Sequence, residues 1–329
     1  MSKAAEMKCI EISEPGSPDV LVLNSRPIPV ARPGEVLVKI NAAGVNGPDL
    51  VQRKGLYPAP KGASDLLGLE VAGTIEAVGE GVVNWLPGDA ICGLTNGGGY
   101  AEYVAINASH CLPIPDGMSF IEAASLPETY FTIWSNIFMT AGLSAGETYL
   151  VHGGAGGLGT TSIQLAKAFG ASVIATDRPH ERCILCNELG ADRVVDYQEE
   201  DFVDVVRKEY AGAHVILDTI GGPYIERNIK AARPDARIIQ LAFNLGSKVQ
   251  INLMPIMLKR IIYTGSTLRS RPDAYKSEVA KQLYEIVWPL FETHRLKSVV
   301  EDTLPLENAS KAHALMESAK HKGKIVLTP

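Results

Sequence analysis

Residues 149–159 read Tyr-Leu-Val-His-Gly-Gly-Ala-Gly-Gly-Leu-Gly, an apolar run that passes straight into glycines. Gly154, Gly156 and Gly159 satisfy the spacing G-x-G-x-x-G, with Gly157 and Leu158 between the last two. One glycine serves a tight turn, one lets backbone approach a pyrophosphate, and one lets helix and strand pack closely. A pyrophosphate would rest on the helix N-terminus, where free amides and the helix dipole favour negative charge. The spacing alone is a weak signal. Here helical residues 160–169 follow it, then an apolar run at 171–176 that ends on Asp177. Strand, glycines, helix, strand and acid in that order predict a dinucleotide-binding unit.

Asp177 lies 18 residues beyond Gly159. An acid there accepts hydrogen bonds from ribose hydroxyls and repels a 2′-phosphate, which favours NADH. Arg178, next in the chain, could instead swing in and clamp a phosphate. His152 abuts the glycines and reads as structural. Cys183 and Cys186 form a C-x-x-C inside an expected helix with no second pair, which reads as helix filler.

The elements that must position these residues fall into two rhythms. Up to about residue 126, short β-rich runs (36–40, 71–75, 103–106) alternate with turn pairs such as Pro33-Gly34 and Pro87-Gly88, which suggests a barrel or sandwich. Beyond residue 123, strand and helix signals alternate at 149–152, 160–169, 173–176, 179–189, 194–197, 202–210, 215–219, 224–232 and 237–241. That alternation predicts a doubly wound parallel sheet. A long amphipathic helix over 273–296 follows, then a strand, a helix and a last strand ending at Leu327. The tail is too short for a third domain and should fold back on the N-terminal part. The expected division is 1–126, 127–265 and 266–329.

Composition narrows the classes. The net charge of -6, with no dense Lys/Arg block, argues against a nucleic-acid footprint. Five scattered cysteines do not suggest a disulfide framework. The N-terminus is too polar for a signal peptide, and no apolar run approaches the roughly 18 residues a membrane span needs. A cytoplasmic protein without a membrane segment is the expectation.

The whole chain resembles the zinc-independent quinone oxidoreductases of the medium-chain dehydrogenase/reductase superfamily, especially the branch containing the p53-inducible quinone oxidoreductase. The matching segments are Pro33-Gly-Glu-Val-Leu-Val-Lys, Gly44-Val-Asn-Gly-Pro-Asp-Leu, Gly68-Leu-Glu-Val-Ala-Gly, Gly99-Tyr-Ala-Glu-Tyr-Val, Leu217-Asp-Thr-Ile-Gly-Gly, Leu268-Arg-Ser-Arg and Gly323-Lys-Ile-Val-Leu. The resemblance implies a GroES-like β-barrel catalytic domain and a Rossmann doubly wound parallel sheet, an α/β architecture with the active site in the cleft between them. Zinc-dependent members use a Cys, the His of a Gly-His-Glu motif and a further Cys. This chain carries Asn46, Leu69 and Glu128 there, and lacks the four-cysteine lobe between Leu94 and Tyr103. Those donors do not suit zinc, so no metal is expected.

By the same resemblance, Asn46 lies beside the nicotinamide, Tyr57 lines the pocket as a donor and Asp49 orients the loop. Without a metal, such donors must meet the charge that grows on the substrate oxygen. Thr132 is expected to contact the cofactor, Lys324 in the matched tail to contact the cofactor or the other domain, and Arg182 and Tyr197 to flank a 2′-phosphate. Arg269 and Arg271 could reach the cofactor or cleft, or could be solvated charges opening a helix. The acid at 177 favours NADH and the family favours NADPH; NADPH leads, with dual use open. The activity implied is two-electron reduction of a small quinone. An enone or alkenal double-bond reductase is the alternative, and a low-turnover cofactor-binding redox sensor is a third reading. A homodimer is expected, with the apolar stretch 248–267 at its edge.

Overall fold

The computed structural model describes residues 5–329. The chain divides into two compact units, one running to Phe131 and resuming over Arg269–Pro329, the other spanning Thr132–Leu268.

In the second unit six strands form one parallel sheet. Thr148–His152, Ser172–Asp177, Arg193–Asp196, Ala213–Asp218, Ala232–Gln240 and Ile262–Gly265 lie in the spatial order 3-2-1-4-5-6, counted along the chain. That is the order of dinucleotide-binding sheets, with the reversal beside the first strand. The central strands are apolar throughout because helices cover both faces. Leu150, Ile174, Ile216 and Ile238 are fully buried and share a core with Phe202, Val206 and Ile229 of the helices.

Helix Gly157–Ala168 follows the first strand and starts without a side-chain cap. Its closeness to the preceding loop requires glycine: a Cβ on Gly159 would lie 2.2 Å from Gly153 O and 2.5 Å from Gly154 O.

The first unit is built on a seven-stranded mixed sheet. The Glu35–Val45 strand is long enough to serve two partners. Its first half pairs antiparallel with Tyr103–Asn107 (Val38 opposite Val104), and its second half with Lys324–Thr328 (Val45 opposite Ile325). Glu70–Val78 lies along its other edge. Val36, Val38, Ile40, Val71, Ile75 and Ile91 fill the interior. The last strand of the C-terminal tail thus pairs with a strand of the N-terminal part. The GroES-like barrel unit and the parallel dinucleotide-binding sheet are both present.

One element departs from expectation. The helix anticipated over 273–296 is Asp273–Gln282, a widened turn at Leu283–Val287, and a short Pro289–Glu292 segment. Pro289 has no N–H to donate and disrupts the regular ladder, and Trp288 turns its Nε1 outward to donate to Pro113 O at 2.7 Å. Among the described residues no helix is long and apolar enough to cross a membrane.

Gly159→Ala should cost about 3 kcal/mol, the upper end of the overpacking range, because the obstructing atoms are backbone. Urea unfolding would measure the loss, and an unchanged midpoint would contradict the packing argument.

Candidate active site

The end of the Glu35–Val45 strand delivers Asn46 as the N-cap of helix Gly47–Arg53. Its side chain does not project freely. Lys324 Nζ donates to Asn46 Oδ1 at 2.5 Å, and Asn46 Nδ2 donates to Glu70 Oε1 at 2.9 Å. The amide orientation follows from chemistry: lysine can only donate and a carboxylate can only accept. Lys324 also forms an ion pair with Glu70 Oε1 at 2.5 Å, and Glu70 Oε2 accepts from Glu128 N at 2.9 Å. All three side chains are buried. Gly44 makes room for them, since a Cβ there would lie 2.0 Å from Glu70 Oε1.

Asp49, one turn along the helix, is fully buried. Its Oδ2 accepts from Asn46 N at 2.9 Å and its Oδ1 from Gly68 N at 3.1 Å, which ties the loop together. Tyr100 Oη donates to Asp49 Oδ2 at 3.3 Å and meets His313 Nε2 at 3.0 Å. Arg53 Nη1 donates to His313 Nδ1 at 3.1 Å. Because arginine cannot accept, Nδ1 is the acceptor, Nε2 carries the proton, and the row of donors runs Arg53 to His313 to Tyr100 to Asp49. Burial and the Arg53 charge push His313 down to about 3, so the ring is neutral. Desolvation raises the Asp49 carboxyl to about 6, opposed by its two amide bonds and by the charges of Lys324 and Arg269.

Tyr57 is half-buried, and the Arg269 guanidinium carbon lies 5.4 Å from its ring centroid. Burial raises the Tyr57 hydroxyl pKa and Arg269 opposes that shift. The two arginines of the Leu268-Arg-Ser-Arg segment part company here. Arg269 is buried, whereas Arg271 is exposed and stacks over Tyr275 at 4.3 Å.

In the second unit Asp177 ends the Ser172–Asp177 strand and faces inward. Its Oδ2 accepts from Ala155 N, inside the glycine loop, at 2.7 Å, and its Oδ1 accepts from Arg178 N at 2.7 Å. Arg182 grips both oxygens, Nε to Oδ1 at 2.7 Å and Nη2 to Oδ2 at 3.2 Å. The acid at this position is thus neutralised and doubles as a strut for the loop. Tyr197 lies close enough to feel the charges of Asp177, Arg178 and Arg182. Gly156, Gly157 and Leu158 remain half-exposed at the uncapped helix start, where a pyrophosphate could reach their amides. Thr132 is buried, its carbonyl accepting from Asn136 Nδ2 at 2.9 Å.

His152 is held between Thr176 Oγ1 (2.9 Å) and Asn228 Oδ1 (2.8 Å), a structural placement. Cys186 lies beneath Gly154, where a Cβ would meet its Sγ at 2.8 Å, and burial raises both thiols of the C-x-x-C. Among the described residues no three His, Cys, Asp or Glu side chains are grouped as a metal site would need. Glu70, Tyr100 and His313 were not singled out in the sequence. Glu70 and Tyr100 lie inside matched segments that gave them no role, and His313 carried no signal there.

The raised Asp49 pKa makes the folded state hold a proton more tightly than the unfolded chain does. Stability should therefore rise as pH falls from above 6 towards 3.8, by about 3 kcal/mol from this group at 1.36 kcal/mol per unit. Urea unfolding of the wild type and Asp49→Asn across pH 7.5 to 4 should show the wild type gaining on the variant by that amount as pH falls, over a trend both share from groups such as His313; parallel curves would contradict it.

Comparison with known proteins places this geometry. Residues 32–116 match the alcohol dehydrogenase GroES-like domain and residues 157–284 the zinc-binding dehydrogenase domain. A quinone oxidoreductase of Rattus norvegicus is 31% identical over 326 residues, covering 98% of this chain and 97% of the relative. A mycobacterial protein solved as a complex with NADPH superposes with a TM-score of 0.88 at 29% identity, covering 98% of this chain and 100% of that one. The CurK enoyl reductase superposes with a TM-score of 0.84 at 27% identity, covering 98% and 99%. The chain belongs to the quinone oxidoreductase family of the medium-chain dehydrogenase/reductase superfamily.

Proposed function

We propose that this oxidoreductase is a metal-free NAD(P)H-dependent quinone reductase. The observation that carries the metal-free reading is the Lys324 ammonium, 2.5 Å from both Glu70 Oε1 and Asn46 Oδ1. A fixed cation already holds the carboxylate of the motif that in zinc-dependent relatives supplies a ligand, and a dication beside it would be repelled. Neither Asn46, Leu69 nor Glu128 offers the N or S donors zinc prefers.

A bound reduced nicotinamide supplies a hydride, and a quinone accepts it together with one proton to give the hydroquinone. The glycine loop with Gly154, Gly156, Gly157, Leu158 and Gly159 would hold the pyrophosphate. Tyr57 offers a hydroxyl to the substrate oxygen, backed by the positive charge of Arg269. Asp49 acts as a positioning residue, through the Asn46 and Gly68 amides. A quinone suits this site because its reduced oxyanion is delocalised and needs no Lewis acid. An enone needs the same donors, and the likeness to an enoyl reductase favours it as the second reading.

NADPH is the preferred cofactor in this reading. Asp177 is neutralised by Arg182, so its charge is not free to repel a 2′-phosphate, and the Arg178 charge acts on the neighbouring Tyr197. Arg182→Ala would strip that neutralisation and leave an unpaired carboxylate. The KM for NADPH should then rise at least tenfold while that for NADH changes less than threefold. A parallel rise in both would overturn the preference.

Turnover is read as loss of reduced-nicotinamide absorbance on adding 1,2-naphthoquinone and, separately, an alkenal. Oxidation with the quinone is expected; oxidation with the alkenal alone would favour the second reading, and none with either would leave only cofactor binding.

Among the described residues the edge strand Ile262–Gly265 pairs with Ala232–Gln240 alone. Beside it in sequence Leu253, Met254, Met257 and Leu258 are exposed, while Ile261 is buried. A second copy pairing edge to edge would cover this apolar surface. Light scattering should give about twice 35.3 kDa, and a monomer mass would exclude the homodimer.

A further inference from the structure

Among the described residues of the first unit, two buried cations have no carboxylate partner within ion-pair distance. Arg269 is 7% exposed and Lys276 1%. Lys276 Nζ donates to Asn96 Oδ1 at 2.7 Å and to Arg269 O at 2.9 Å. Arg269 Nε and Nη2 both donate to Asn96 O, at 2.9 and 2.6 Å, and Nη1 donates to Gln52 Oε1 at 2.7 Å. Every one of these acceptors is neutral. Asp49 and Asp273 act on the pair only from a distance.

The other buried charges of this unit are already answered. Lys324 meets Glu70, and Arg53 meets Glu317. The oxygens of Asp49 are taken by two amides and the Tyr100 hydroxyl. An unanswered buried charge is unfavourable, and here two share Asn96 as a neutral acceptor. Desolvation presses both groups towards their neutral forms, which an anion would reverse. The guanidinium has five N–H donors and uses three. One of its neighbours is the half-buried Tyr57 ring. Gly97 leaves room beside the guanidinium, since a Cβ there would lie 3.3 Å from Arg269 Nη2.

We propose that Arg269, backed by Lys276, forms an anion subsite beside Tyr57 that selects substrates bearing a carboxylate. This deepens the quinone-reductase reading and rests on it for the electron-accepting part of the substrate. The charge-assisted bonds to arginine would come from the substrate's acid group, and the pair of cations would then be neutralised only when substrate is bound.

The test is calorimetric titration of the full-length protein with naphthalene-2-carboxylate and with naphthalene-2-carboxamide. Saturating NADP⁺ is kept present, so that any subsite for the cofactor's own phosphates is filled. The carboxylate should bind at least tenfold more tightly than the amide. Arg269→Gln should abolish that ratio, Lys276→Met should reduce it several-fold, and Arg269→Lys should keep part of it. Equal binding of the two probes, no binding of either, or a ratio that survives Arg269→Gln would overturn the subsite. Oxidation of NADPH by the neutral 2-methyl-1,4-naphthoquinone is followed in parallel. Its failure with the carboxylate preference intact would sink the reductase reading and leave the subsite standing.

Discussion

The first unit depends on a tether between the two ends of its sequence. Lys324, at the start of the last strand, reaches Asn46 and Glu70, and the strand it opens pairs with the far half of Glu35–Val45. The pairing brings the ammonium to the carboxylate, and the ion pair holds the asparagine amide in one orientation. Buried charges tolerate little error in geometry, because a lost partner leaves the other charge exposed to the full desolvation penalty. The loop that carries Asn46 and Asp49 is therefore as rigid as this cluster. Its chemistry is set by a residue 278 positions away.

Much of the architecture was legible beforehand. The glycine spacing, the strand–helix alternation and the return of the tail all follow from local pattern, and helix 202–210 lies where its periodicity placed it. The helix over 273–296 was over-extended because its apolar spacing continues past Pro289, and a missing N–H is not a periodic signal. Partnership was the harder matter. Nothing local ties His313 to Tyr100, or Lys276 to Asn96, because those contacts are made by folding segments far apart in the chain. Arg269 and Arg271 sit two residues apart in the same segment, and only burial separates a solvated charge from an interior one.

Asp177 shows how a correct position can carry a different chemical meaning. Its place at the end of the second sheet strand follows from counting beyond the glycines. What counting could not supply is that both oxygens are already occupied, by Ala155 N, Arg178 N and Arg182. A carboxylate so committed braces the phosphate loop and presents a balanced pair to its surroundings. The sign of the local field is then decided by the cations around it, Arg178 among them.

The row from Arg53 through His313 and Tyr100 to Asp49 also has a direction. Each member gives its hydrogen towards Asp49, and the sense is imposed at the far end by a guanidinium that has only hydrogens to give. Reversing the row would require Arg53 to accept, which it cannot do. It behaves as a one-way conductor jammed at its source. Asp49 can feel electrostatic changes along that line, but no proton can be drawn through it from Arg53. Any proton that completes a reduction must enter by another door.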